Sequence, residues 1–203
     1  MFSIVDIVRR DAATYYEGDP ANRVGRAKTL SVFAIFSLIA GFLVGTASSD
    51  FLTGALSAEA ILVGFSFNVL FYLVANRLTA PASFSGLEHE LRFERLSTLS
   101  DEVFDNVTYF NLVAICSAVA ALLLLLAGST SFDGNLHKIA GLITQRTRIE
   151  GAALSWAKWG ASAFALSVLI FLLIESVYTF LRAVGRVRFY FGMLKTMNDD
   201  ATP

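Results

Sequence analysis

Two carboxamides and one carboxylate stand out within the apolar runs of this 203-residue chain: Asn68, Asn111 and Glu175. Glu175 has the most chemistry to offer. An ionised carboxylate at the centre of a bilayer costs about 2.5–3.5 kcal/mol on insertion scales. Glu175 stands toward one end of its run, so its expected cost is smaller. A basic partner, a water-filled vestibule or protonation could each meet it. Arg182 follows Glu175 by seven residues, roughly 10 Å along a helix, and Arg77 is the other basic candidate. Two readings stay open. In one, Glu175, with Asn111 and Tyr178, faces a bundle interior or a subunit axis. It then fixes packing, or belongs to a cation-attracting ring or proton relay. In the other it is a salt-bridged or snorkelling carboxylate.

Other chemistry is missing. The two histidines, His89 and His137, fall on opposite sides of a membrane by the charge pattern below, so they share no site. His89 lies between Glu88 and Glu90, but successive helical residues point apart. No thiol pair, zinc-protease helix, nucleophile elbow, phosphate loop or dinucleotide fingerprint occurs. No enzyme, metal or cofactor is expected. A formal net charge of −1 excludes a general attraction to nucleic acid. The single cysteine, Cys116, has no intrachain disulfide partner and reads as a small packing residue.

These residues must be positioned by four apolar runs, at about 30–47, 60–75, 109–127 and 160–181, none containing Lys or Arg. Each approaches the ~20 residues that cross the hydrocarbon of a bilayer. A soluble helix would need a polar face. The predicted fold class is all-α: a polytopic membrane protein with four transmembrane helices and amphipathic cytoplasmic helices. The first loop, about Ser48–Glu59, carries no basic residue. The N-terminal segment, the middle loop and the tail carry 12 Arg and Lys between them, against 4 in the third loop. The positive-inside rule then places both termini and the middle loop in the cytoplasm. Arg182, Arg186 and Arg188 suit lipid headgroups at that face, and Trp156 and Trp159 suit the interface opposite.

Residues 1–29 are expected to form a cytoplasmic segment whose start, Phe2–Tyr16, is an amphipathic helix. Loop 77–106 should be helical, with a capping box at Ser85-Gly86-Leu87-Glu88 and a second helix start at Ser100-Asp101-Glu102. Loop 128–159 should carry an outer helix around Leu136–Ile143. Residues 182–203 form a basic tail. The N-terminal segment is not expected to be a cleaved signal peptide, because about thirty residues with four acids precede the first run.

Helices in lipid associate through small residues. The first run offers Ser37, Gly41 and Gly45, the second Ala60, Gly64 and Asn68, the third Ala114, Ala118 and Ala121, and the fourth Ala161 and Ala165. Such stripes serve packing within the chain or between copies. So small a bundle has little interior, which points to a homo-oligomer in the lipid bilayer.

The layout resembles that of small four-span membrane subunits in bacterial antiviral defence operons, by size and span number alone. That resemblance implies envelope sensing or depolarisation. The 12 Arg to 4 Lys suggest a GC-rich bacterial genome, hence the inner membrane. Two functions are expected: an anchor or sensor docking a cytoplasmic protein partner, or an oligomeric ion channel or membrane-permeabilising effector.

Overall fold

A computed structural model describes residues 5–8, 21–75, 87–128 and 151–201. Four long helices carry nearly all of them, and no strand occurs among the described residues. They are α1 (Ala21–Val44), α2 (Ser49–Ala75), α3 (Leu87–Ala127) and α4 (Gly151–Ala201). Each contains a stretch long and apolar enough to cross a membrane. A third or fewer of the residues in those stretches are buried within the chain. Val32, Ile35, Phe36, Leu43, Ile61, Phe71, Leu123 and Phe164 are among the exposed apolar side chains. Lipid tails are the solvent in which such a surface is stable. The chain is an all-α, multi-pass membrane protein.

The helices exceed the apolar runs that announced them. α3 has 41 residues and α4 has 51, about 62 and 77 Å at 1.5 Å per residue. α3 runs through Ser100-Asp101-Glu102 without a break, so these residues are not a helix start; nothing at that point removes a backbone donor. α4 likewise runs through Gly185 and Gly192. α2 begins at Ser49, so the stretch expected as a loop, Ser48–Glu59, is helical. Ser48 explains the early start. Its Oγ accepts the Phe51 amide at 3.2 Å, and Asp50 lies in the first turn. Both features stabilise a helix N-terminus.

The α1–α2 link is therefore only Gly45–Ser48. α1 stops because Gly45 takes a φ of +73°, while its amide still donates to the Gly41 carbonyl at 2.8 Å. This left-handed residue is a common helix C-cap, and glycine adopts it without strain. Of the expected N-terminal helix, only the helical turn Val5–Val8 is described, with Val5 and Val8 exposed. Ser85, Gly86 and the outer helix around Leu136–Ile143 lie outside the described residues.

Contacts divide the chain into two units, and each of the four helices contributes to both. One unit comprises 1–26, 62–112 and 176–203. Its core is Leu73, Leu96, Val103, Val107, Ala183 and Tyr190, flanked by Leu99, Val187, Met193 and Leu194. The other comprises 27–61 and 113–175, with Leu52, Ala121 and Leu169 at its centre.

Candidate functional site: the polar residues within the spans

Hydroxyls are the easiest polar groups to place in an apolar helix, because they can return a hydrogen bond to the carbonyl four residues earlier. Ser31, Thr53, Ser57, Thr108 and Ser167 all do so, at 2.8–2.9 Å. Carboxamides and carboxylates have two polar atoms each, so one such local bond cannot satisfy them fully. Their placement tells more.

In the first unit, Asn111 is buried and meets Ser66 of α2 through its side-chain amide. The Ser66 hydroxyl also lies 2.8 Å from the Val63 carbonyl. One hydroxyl proton serves one acceptor. The Ser66 hydroxyl therefore donates to Asn111 Oδ1 or to the Val63 carbonyl, one at a time. Ser66 was not singled out by sequence, since one serine does not interrupt an apolar run. Nearby on α3, Asn106 is fully buried and donates to the Glu102 carbonyl at 2.7 Å.

The same unit holds a charge pair that the sequence did not announce. Glu102 of α3 meets Arg186 of α4 at 2.9 Å, each about one-fifth exposed. Arg186 thus turns inward, Arg188 stays exposed, and Arg182 and Tyr178 are half-buried. Arg26 lies over the Tyr109 ring, 5.7 Å from its centroid. Phe180 packs against both Phe65 and Phe110, with centroids 5.7 and 5.3 Å away.

The second unit holds two buried carboxylates. Glu175 is 3% exposed, and so is Glu59 of α2. Glu175 is therefore not the only acid deep within a span. Glu59 escaped because the apolar run begins just after it, although the helix begins ten residues before it. A sequence signal existed: Leu52, Glu59, Ser66 and Leu73 recur every seven residues, and all four are buried. Leu52 and Leu169 share a cluster. Glu59 is seven residues beyond Leu52 and Glu175 is six beyond Leu169. α1 is antiparallel to α2 through the short link and to α4 through its contacts, so α2 and α4 run the same way. Both carboxylates then lie at one level, roughly 9–10 Å along from the leucines.

The expected small-residue stripe of α1 is used inside this unit. A Cβ on Gly41 would overlap Ser167 Oγ and come within 2.8 Å of the Ala163 carbonyl. Ser37, one turn away, is buried. A Cβ on Gly45 would come within 2.8 Å of Trp159 Nε1, and the Gly45 carbonyl accepts the Ser162 hydroxyl at 3.1 Å. Trp159 is edge-on to Phe42, and Trp156 is 72% exposed. On α3, Ala114 and Ala121 are buried, while on α4 Ala161 is exposed. Cys116 is exposed on α3, so it does not fill a packing gap within the described residues. Ala60, Gly64 and Asn68 are likewise exposed, and nothing lies within 4 Å of a Cβ on Gly64. Asn68 stands at the rim of an open cleft of about 180 Å³ lined by Tyr72, Val103, Val187 and Tyr190. Among the described residues, no three His, Cys, Asp or Glu side chains gather as a metal site would require. No protein-family model, curated protein or solved structure matches the chain.

Proposed function

We infer that this protein is a bacterial inner-membrane anchor or sensor that docks a cytoplasmic protein through the extended ends of α3 and α4. The observation that supports this is the paired excess length of those helices. A membrane needs about 20 residues of each. About as many again remain in each, and the excess lengths pack on one another through Leu96, Leu99, Val103, Tyr190 and Met193. Glu102–Arg186 fastens the same pair. A stalk that is ordered without a partner loses little entropy on binding one. The stalk also has a groove of about 490 Å³ lined by Leu91, Glu94, Arg95, Thr98, Phe189 and Met193. Leu91 and Phe189 are 49% and 62% exposed there. Apolar anchors rimmed by charge suit an amphipathic helix. Both termini lie in the cytoplasm on this reading, as the distribution of basic residues favours. The span layout resembles four-span subunits of antiviral operons, which would make an envelope signal the input.

The test is co-purification from native membranes. Phe189→Glu and Leu91→Glu should lose the partner while remaining membrane-inserted. An unchanged set of co-purifying proteins would remove the proposal.

The level shared by Glu59 and Glu175 favours a second reading, an oligomeric ion channel or permeabilising effector. In liposome flux measurements, Glu175→Gln should then lower conductance or alter cation preference. Traces identical to the parent would exclude that reading.

A further inference from the structure

In the first unit α2 and α4 touch at two levels and part between them. Phe65 meets Phe180 with ring centroids 5.7 Å apart, and Tyr72 meets Phe191 at 5.2 Å. Phe180 and Phe191 are roughly 16 Å apart along α4. Between the two levels runs a slot. Its narrow end, about 50 Å³, is walled by Phe65, Val107, Phe110 and Ala183. Its wide end is the cleft of about 180 Å³ bordered by Asn68, Tyr72 and Tyr190. Val69 and Val187 line both parts, so the two form one slot.

Polarity is graded along it. At the narrow end the one polar side chain is Ser66, whose hydroxyl is engaged by Asn111 or Val63. At the wide end Tyr190 is only 2% exposed, and its hydroxyl forms no hydrogen bond among the described residues. A tyrosine so buried usually finds a partner for that group, and leaving it unsatisfied costs stability. Asn68, at the rim, forms no hydrogen bond among the described residues either. An acceptor entering the cleft would serve both.

The surroundings say what enters. Phe65 and Val184, which line the slot, are exposed to the solvent of the spans, which is lipid. On α2 the cleft residues belong to an apolar run, whereas on α4 Arg186 and Arg188 flank Val187. The wide end therefore lies where hydrocarbon gives way to headgroups, a depth that suits tyrosine. Water needs several polar partners to occupy a cavity, and the narrow end lacks them. A phospholipid tail has the matching pattern: a long apolar chain that ends in an ester, whose carbonyl oxygen accepts and cannot donate. The Tyr190 hydroxyl and the Asn68 NH2 both donate. Ligand sites in helix bundles are built this way, apolar with a few placed polar groups.

We propose that this slot is a lipid site: it takes one acyl chain of a phospholipid, tail toward Phe180, with the ester accepting from Tyr190 and Asn68. The proposal stands apart from partner docking on α3 and α4, and each can fail alone.

The experiment is photo-cross-linking of the full chain in detergent micelles doped with a phosphatidylcholine that carries a diazirine in one acyl chain. Label, mapped by peptide mass spectrometry, should concentrate on Val69, Val107 and Val187, above its level on the exposed Ile35, Phe36 and Leu123. Val187→Phe fills the slot and should abolish that excess, with labelling at Ile35 unchanged. Tyr190→Phe should melt as the parent does and raise the lipid concentration for half-maximal slot labelling about twofold to tenfold, the span for one hydrogen bond. Label spread evenly over the exposed apolar surface would overturn the proposal. So would a slot excess that neither Val187→Phe nor Tyr190→Phe lowers. Displacement of the label by free palmitate but not by unlabelled phosphatidylcholine would overturn the assignment to a phospholipid.

Discussion

α1 and α2 each carry a stripe of small residues, and the two stripes have opposite fates. Along α1, Ser37, Gly41 and Gly45 are buried, with Gly41 against Ser167 and Gly45 beneath Trp159. Along α2, Gly54 and Gly64 face empty space, and Asn68 is exposed between Gly64 and Phe71. Small-residue spacing therefore marks where a helix can be approached closely. It does not say who approaches. In water, burial would break the tie, because an exposed apolar stripe is costly. In lipid that force is absent, and close packing and polar satisfaction decide.

Substitutions that lengthen these side chains should separate the two stripes. The largest effect is expected at Gly41→Leu. It forces atoms into Ser167 and the Ala163 backbone, and should lower thermal stability in detergent by about 3 kcal/mol, the upper end for overpacking. Gly64→Leu should leave that melting curve within about 0.5 kcal/mol, as for surface changes. If both variants melted alike, the distinction between an inward and an outward stripe would be lost.

Ser66→Ala ranks next. It leaves the buried Asn111 carboxamide short of a partner, at about 1–3 kcal/mol, readable in the same melts. Ser66→Ala combined with Asn111→Leu should recover part of that loss. Gly45→Ala follows at about 1–2 kcal/mol, for the left-handed backbone alone, and crowding against Trp159 adds to it. Ser117→Ala should have the smallest effect. The Ser117 hydroxyl is buried without a hydrogen-bond partner among the described residues, so its removal should be neutral or raise stability by up to about 1 kcal/mol.

Much of this was legible because lipid imposes a blunt rule: backbone groups must be satisfied internally, so long apolar runs become helices. Where a helix started was harder to read. Glu59 stands just before the apolar run and so reads as loop, yet Ser48 and Asp50 begin the helix well before it. Ser100-Asp101-Glu102 carries good N-terminal chemistry, but no breaker precedes it, and a helix already propagating gains a hydrogen bond with each residue added. Asn111 and Glu175 were visible as polar interruptions. Their surroundings were not: Ser66 lies 45 residues from Asn111, and no local spacing links the two. Glu102 and Arg186 are farther apart still, and each alone reads as a solvated charge.

By itself the sequence determined the solvent, the number of spans and the places where glycine permits close approach, because each depends on composition along one helix. Only the tertiary structure decided which polar groups share an interior and which are left outward. It buried Glu59 with Glu175 in one unit, drew Arg186 to Glu102 and left Asn68 exposed. Those outcomes depend on the rotation and depth of one helix against another. Contacts between residues far apart in the chain set them, and in lipid no hydrophobic stripe along a single helix specifies them.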